Sequence, residues 1–155
     1  MPDLIEYLRS LNESSLIMGV GNPLRGDDGF GPALIAELNG RTEVRLLDVE
    51  ETPEAFLGKV AEMSPDKLLI ADVVAFGGAA GEAVLLEPDQ LGKRIAISTH
   101  NLPLVMFVKM FKEKCPATDV KLLGVQPGSI EPGQGLGPAV RKTVEALAGI
   151  LSMGK

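Results

Sequence analysis

Short apolar runs alternate with segments of helical periodicity along the chain, and this alternation restricts the possible folds more than any other feature. The apolar runs are only a few residues long, and several are apolar at every position, which is typical of strands buried on both faces. Glycine, proline, asparagine or aspartate follows most of them and marks the loops. We predict strands at residues 15–20, 44–47, 67–71, 83–86, 95–97 and 120–125.

Helical spacing of apolar residues fills most of the intervals between these strands. An N-terminal helix capped by Asp3 is predicted from Leu4, Ile5, Leu8 and Leu11, and a second helix over residues 53–63. The other predicted helices are built on Leu34, Ile35 and Leu38, ending near Gly40; on Leu104, Phe107, Val108 and Phe111, capped by Asn101; and on Val140, Val144, Leu147 and Leu151.

Strands that alternate with helices predict a three-layer α/β fold, in which a mostly parallel twisted sheet carries helices on both faces. No repeat or linker interrupts the pattern, so we expect one domain over residues 1–155, with residues 1–14 as an N-terminal helical extension. Such a chain of 155 residues is long enough to bury a substantial core.

The charge balance narrows the classes of partner. A formal net charge of -6 disfavours nucleic-acid binding, which needs clustered lysine and arginine. No apolar run approaches the length of about 20 residues that spans a bilayer, and the charged start does not resemble a secretory signal. The single cysteine, Cys115, excludes an intrachain disulfide and is expected to be a helix-end thiol without chemistry. We therefore expect a cytoplasmic protein without membrane insertion.

Three residues with metal-ligand chemistry follow predicted strands. Asp28 lies in the loop after the first strand, Asp72 directly follows residues 67–71, and His100 follows residues 95–97. Ligands of open α/β sheets bind beyond the carboxyl ends of the strands, so the three side chains are expected at one edge. Two carboxylates and one imidazole suit a divalent ion such as nickel or zinc and leave positions open for water or substrate.

Each of these residues also has a simpler interpretation. Asp28 is a plausible helix cap, Asp72 a strand-end carboxylate bonded to loop amides, and His100, the only histidine, a capping or packing residue. The coincidence of all three at equivalent strand ends favours the metal site.

Other sites known from short motifs fit the chain poorly. Gly19-Val20-Gly21 begins like a dinucleotide fingerprint, but Leu24 stands where the third glycine belongs. No Gly-Lys-Ser/Thr follows to make a phosphate loop, and the nucleophile elbow that would support Ser98 and His100 in serine hydrolysis is absent. These absences weaken a nucleotide-binding module as a function, without naming another.

Three motifs occur in order along the chain. They are Gly21-Asn22-Pro23-Leu24-Arg25-Gly26-Asp27-Asp28-Gly29-Phe30-Gly31, then Leu69-Ile70-Ala71-Asp72 followed by Gly81-Glu82, then Ser98-Thr99-His100-Asn101-Leu102-Pro103-Leu104. In this order they resemble the motifs of the hydrogenase maturation endopeptidases. Leu123-Gly124-Val125-Gln126-Pro127 is also similar to that family, and the likeness runs from about Ser15 to Leu151.

The resemblance implies an endopeptidase that removes a C-terminal extension from the nickel-loaded large subunit of a nickel–iron hydrogenase. The family's metal-binding positions fall on Asp28, Asp72 and His100, whereas the neighbouring Asp27 stays outside the metal set. Aspartate rather than glutamate at position 28 resembles the branch that serves hydrogenases of the formate-hydrogenlyase type. The N-terminal helix before Ser15 extends beyond the typical family start.

The resemblance further implies that nickel arrives on the substrate, so the free protein's site is expected to be empty. A metal held by the three side chains would polarise the scissile carbonyl; a carboxylate at Asp28 or Asp72 and a metal-bound hydroxide both stay open as proton acceptor. The alternative function is a non-enzymatic nickel-binding chaperone or sensor for hydrogenase assembly. The expected partner is the nickel-loaded precursor, held by a monomer through the loops at residues 77–81 and 127–137.

Overall fold

The computed structural model describes residues 3–91, 97–98 and 100–152. Its strands are β1 (Leu16–Val20), β2 (Arg45–Glu50), β3 (Lys67–Ala75), β4 (Ala83–Leu86), β5 (Ile97–Ser98) and β6 (Asp119–Val125). Its α-helices are α1 (Leu4–Arg9), α2 (Phe30–Leu38), α3 (Leu57–Met63), α4 (Asn101–Lys114) and α5 (Pro138–Ser152). Short 3₁₀ turns cover Gly26–Gly29, Pro53–Phe56 and Pro88–Gln90.

The strands form a mostly parallel sheet in the order β2-β1-β3-β6-β4, as the alternating pattern predicts. The pairs β1–β2, β1–β3 and β3–β6 are parallel, whereas β4 runs antiparallel to β6 at the edge. The two-residue β5 lies off this path and pairs antiparallel with the end of β3.

Helices cover both faces because neighbouring strand residues point to opposite sides. On one face Ile17 and Leu69 pack with α1, α2 and α5. On the other, Leu16 and Leu68 pack with α3 and α4, where the rings of Phe107 and Phe111 stack with centroids 5.8 Å apart. The expected three-layer arrangement is therefore confirmed.

Two glycines let α2 lie directly against β1. A Cβ on Gly31 would come within 2.4 Å of the Val20 carbonyl oxygen, and one on Gly19 within 2.7 Å of the Gly31 carbonyl oxygen. Real Cβ atoms do not approach backbone oxygens so closely, so only glycine allows this contact. The close packing fixes where the loop between β1 and α2 can place its side chains.

Several sequence-based boundaries are wrong in detail. The strand predicted to end at Asp72 continues to Ala75, and the strand predicted over residues 44–47 extends to Glu50. The helix predicted over residues 53–63 begins as a 3₁₀ turn, and α4 has His100 rather than Asn101 at its N-cap.

One core residue predicted for α1 is wrong, and one predicted strand lies only partly within the described residues. In α1, Asp3 caps the helix as predicted. Ile5 was expected in the core but is exposed, and Tyr7 is buried in place of Ile5. Of the strand predicted over residues 95–97, only residue 97 lies within the described residues.

Within the described residues, none of the helices combines the length and apolar character that crossing a lipid bilayer requires.

Candidate metal site at the sheet edge

The loop that follows β1 holds Asp28 in a fixed position. Gly21 leaves the strand with φ of +151°, and a Cβ there would collide with the Asp28 carbonyl oxygen at 2.0 Å. The backbone N–H of Asn22 donates to Asp28 Oδ2 at 3.0 Å and also to the Asp28 carbonyl oxygen at 3.1 Å. Asp28 is buried, so its carboxylate is oriented by the backbone and not by solvent.

Asp72 is also buried, within β3 and not at its end. The parallel β1–β3 pairing stops at Gly19↔Ala71, so Asp72 is the first residue of β3 past that pairing. Asp72 Oδ1 accepts the Val73 N–H at 2.8 Å, and Asp72 Oδ2 accepts a short hydrogen bond from the Ser98 hydroxyl. Both oxygens of this carboxylate are therefore held in place.

His100 reaches the same edge from β5 and the N-cap of α4. The expectation that the three residues lie at equivalent strand ends is wrong for His100, because β5 pairs antiparallel with β3. Its backbone N–H donates to Ser98 Oγ at 2.9 Å, which links His100 to the group that holds Asp72. Ser98 thus serves as a hydrogen-bonding support in this arrangement.

The three side chains converge at one edge of the sheet. His100 Nδ1 lies 3.5 Å from Asp72 Oδ1, and His100 Nε2 lies 3.6 Å from Asp28 Oδ2. One ligand atom from each of the three residues can be chosen so that all lie within 4.8 Å of one another. The structure thus brings together all three residues that the sequence singled out, although by a different strand arrangement.

The protonation of this cluster reflects an excess of buried negative charge. Burial lowers the pKa of His100, but the hydrogen bond that its ring donates to Asp72 and the negative charges of Asp72 and Asp28 outweigh this effect and raise the pKa to about 9. Burial also raises the pKa of Asp72, against the lowering effects of His100 and the Ser98 hydroxyl. The raised pKa of His100 means that the metal-free imidazole holds a proton at neutral pH.

A divalent cation fits this donor set. A bound cation would replace the retained proton and offset the charge of two buried carboxylates, which is otherwise costly to bury. Two carboxylate oxygens and one imidazole nitrogen suit borderline metals such as nickel and zinc better than calcium or magnesium, which prefer oxygen ligands alone.

Asp27 accepts hydrogen bonds from three backbone amides of the loop after β6. Its Oδ2 accepts the Gly128 N–H at 2.7 Å and the Ser129 N–H at 3.3 Å, and its Oδ1 accepts the Gly137 N–H at 2.8 Å. Asp27 therefore anchors the long loop after β6 to the turn that carries Asp28.

The two loops proposed to contact a partner are both held in place by hydrogen bonds from their backbone amides to side chains. The long loop at residues 127–137 is anchored by Asp27. In the glycine-rich stretch at residues 77–81, Gln126 Oε1 accepts the Gly78 N–H at 3.1 Å and Glu82 Oε1 accepts the Ala79 N–H at 2.7 Å. Their role toward a partner stays a prediction, and these bonds limit how far they can adapt.

A fourth acidic residue, Glu51, lies at this site and was not predicted from the sequence. This residue follows β2, and its Oε1 lies 3.4 Å from His100 Nε2. Its Oε2 accepts a hydrogen bond from Asn22 Nδ2 at 3.2 Å. The strand was predicted over residues 44–47, and the register shift and left-handed residue that follow it give no local signal in the sequence.

Comparison with known proteins points to one family throughout. The family model described as "Hydrogenase maturation protease" matches residues 32–152. The chain is 31% identical over 116 residues to the hydrogenase 3 maturation protease of Escherichia coli K12, covering 74% of this chain and 73% of that protein.

Solved structures agree with that match. A NiFe hydrogenase maturation protease, HycI, from Thermococcus kodakarensis KOD1 superposes with a TM-score of 0.84 at 32% identity, covering 97% of both chains. The hydrogenase maturating endopeptidase HybD from E. coli gives a TM-score of 0.74 at 29% identity, covering 87% of both chains.

Proposed function

The chain belongs to the hydrogenase maturation protease family, and from that premise we propose that it removes the C-terminal extension of a nickel-loaded nickel–iron hydrogenase large subunit. In this proposal, nickel carried by the precursor is recognised by Asp28, Asp72 and His100. In the maturation reaction the precursor's nickel fills this site on docking, and the free chain is expected to bind Ni²⁺ on its own only weakly.

One observation supports this proposal most strongly. Two buried carboxylates and one buried imidazole, from three distant segments of the chain, converge within ligand distance of one another. Burying this much unbalanced charge is unfavourable unless a cation offsets it at some stage. A cation that arrives with the substrate explains why a protease would keep such a cluster.

The residues at this edge of the sheet would have separate roles in binding the metal and orienting its ligands. Asp28 and His100 present ligand atoms from the first loop and from the start of α4, while Ser98 keeps Asp72 oriented beside the imidazole ring. Nickel, when bound, would act as a Lewis acid and as an anchor that fixes the scissile bond. A carboxylate of Asp28 or Asp72 remains the candidate proton acceptor, since both lie beside His100.

The surface beside the site supports a protein-sized partner. Helix α4 starts directly after His100 and exposes Leu102, Met106 and Met110 at intervals of four residues, with Val105 beside them. Apolar side chains at this spacing form a stripe on one helix face, and methionine adapts well to a partner's surface. We define these four residues as the α4 stripe and propose that the precursor rests on it.

A mass measurement tests the proposed activity. Nickel-loaded precursor is incubated with the wild-type chain, with His100→Ala, with Asp72→Asn and with Glu37→Gln, an exposed control on α2. Asn replaces Asp72 because alanine would leave the buried Ser98 hydroxyl and Val73 N–H without their acceptor.

Wild type and the Glu37 variant should shorten the large subunit, and the two site variants should not. Full cleavage by His100→Ala would contradict the assigned site. An unchanged precursor mass with nickel moved onto this protein would instead support the chaperone alternative.

A further inference from the structure

Glu51 is the acidic residue on the solvent side of the cluster. Its side chain is 45% exposed, whereas those of Asp28 and His100 are 2% and 8% exposed. Its Oε1 lies 3.4 Å from His100 Nε2, which is shorter than the 3.6 Å from that nitrogen to Asp28 Oδ2. Glu51 and Asp28 therefore approach the same ring nitrogen.

The backbone directs Glu51 to this position. The β1–β2 register shifts between Gly19 and Val20, so that Val20 pairs with Glu50 instead of Val49. Glu50 has φ of 53°, a left-handed conformation that is strained for a non-glycine residue. Hydrogen bonds from Gly21 N–H to the Glu50 carbonyl oxygen at 2.8 Å and from Glu50 N–H to Asp48 Oδ1 at 3.0 Å hold the turn.

Asn22 joins Glu51 to the cluster. The same asparagine donates its backbone N–H to Asp28 Oδ2 and its side-chain N–H to Glu51 Oε2. The two carboxylates are thus aligned by one residue of the family's opening motif, and each keeps an oxygen toward His100.

We propose that Glu51 is a further metal-ligating residue, which binds the divalent ion from the solvent side in addition to Asp28, Asp72 and His100. Nickel and related ions take four to six ligands, about one to three more than the buried cluster supplies. Glu51 provides one of these from an exposed carboxylate whose Oε1 already lies close to His100 Nε2. This inference rests on the proposed metal site and adds to it a residue outside the three family positions.

Metal binding by the isolated full-length chain tests this role without using cleavage. Calorimetric titration with Ni²⁺ compares wild type with Glu51→Gln and with Glu54→Gln, a control that removes the same charge from an exposed residue three positions along the chain. Loss of a ligand should weaken Ni²⁺ binding about 10-fold or more, because even an outer-shell partner contributes about 10–100-fold. The Glu54 variant should bind like wild type.

A third variant, Glu51→His, separates ligation from simple charge attraction. Imidazole is a good nickel ligand without negative charge. If Glu51 ligates the ion, this variant should recover most of the affinity that Glu51→Gln loses, and the visible absorption of bound Co²⁺ should differ between the two variants. If Glu51 acts only through its charge, both neutral variants would be equally weak.

Three results would overturn the inference: wild-type affinity in Glu51→Gln, equal weakness of Glu51→Gln and Glu51→His, or no Ni²⁺ binding by the wild-type chain at millimolar concentration. None of these depends on the precursor, so they are distinct from failure of the proposed cleavage. Conversely, a chain that fails to cleave yet shows the expected affinity order would retain the Glu51 assignment and lose the protease proposal.

Discussion

At the scale of single residues, the imidazole of His100 links metal binding to pH. Burial lowers its pKa, but Asp72 and Asp28 raise it to about 9, so the metal-free ring is protonated at neutral pH. A metal must displace that proton, and binding should strengthen about tenfold per pH unit up to about pH 9. An unperturbed histidine with a pKa of about 6.5 would instead give a nearly constant affinity above neutral pH.

Calorimetric titration of the chain with Ni²⁺ between about pH 6.5 and about pH 8 checks this slope. Repeating it in buffers with different ionisation enthalpies counts the protons released, which should be about one per ion. A flat affinity from neutral to alkaline pH would show that His100 is already neutral in the free protein.

Tyr7 allows a stability prediction at the same scale. Its ring is buried in the core, and its hydroxyl has no hydrogen-bond partner among the residues the structure describes. Tyr7→Phe should therefore raise the free energy of unfolding by about 1 kcal/mol, because an unsatisfied buried hydroxyl is removed while the ring stays. Urea denaturation measures this change. Tyr7→Ala is the control for the ring and should lose about 3–5 kcal/mol; a destabilised Tyr7→Phe would mean that the hydroxyl is bonded.

The three site residues and their convergence at one sheet edge could be predicted, but the contacts that hold them and the fourth acidic residue could not. Asp28, Asp72 and His100 stand out because each follows an apolar run and carries ligand chemistry. Glu51 could not be found in this way, because its position depends on a register shift and a left-handed residue that the run 45–50 does not signal. A glutamate beside another glutamate after a strand is usually solvated surface.

At the scale of elements, Asp27 is expected to contribute more to the free energy of unfolding than to metal binding. Asp27→Asn loses one acceptor oxygen and the charge that binds three loop amides, and should lower the free energy of unfolding by about 2–4 kcal/mol. Chemical denaturation measures the loss, with the exposed Asp89→Asn as a control. Ni²⁺ affinity should change little, and a complete loss of binding in Asp27→Asn would place Asp27 in the metal site.

The α4 stripe gives a second prediction for an element. Met106→Asp places a charge in the middle of an exposed apolar surface beside His100 and should raise KM for the precursor about 10-fold or more, with little change in kcat. Steady-state cleavage of nickel-loaded precursor measures both, with the exposed α5 residue changed in Lys142→Asp as the control. Unchanged KM would remove the stripe from the docking surface.

The ends and directions of the strands are the features of the elements that the sequence predicts least well. The apolar run at residues 67–71 predicts β3 well, but the strand continues through the polar Asp72 because β6 still pairs with it to Val73. The two-residue β5 pairs antiparallel with β3, and a period of two carries no information on the direction of a partner strand. The long helices were easier, since α5 buries Val140, Val144, Leu147 and Leu151 as their spacing predicts.

At the scale of the whole molecule, the fold explains why a few distant residues can act together. The β1–β3 pairing ends beside Asp72, the loop after β1 carries Asp28, and β5 returns His100 to the same edge. The order of the elements and the fold class can be predicted from the alternating pattern, because short buried strands joined by helices can pack in few other arrangements. The convergence of the site then follows from the topology more than from any local signal.

The central claim is that nickel on the precursor permits cleavage. Casein, nickel-free precursor and nickel-loaded precursor are offered to the wild-type chain in parallel, and the products are measured by intact mass. Only the nickel-loaded precursor should be shortened, because the three side chains need the metal to position the scissile bond. Comparable cleavage of casein or of the nickel-free precursor would contradict it.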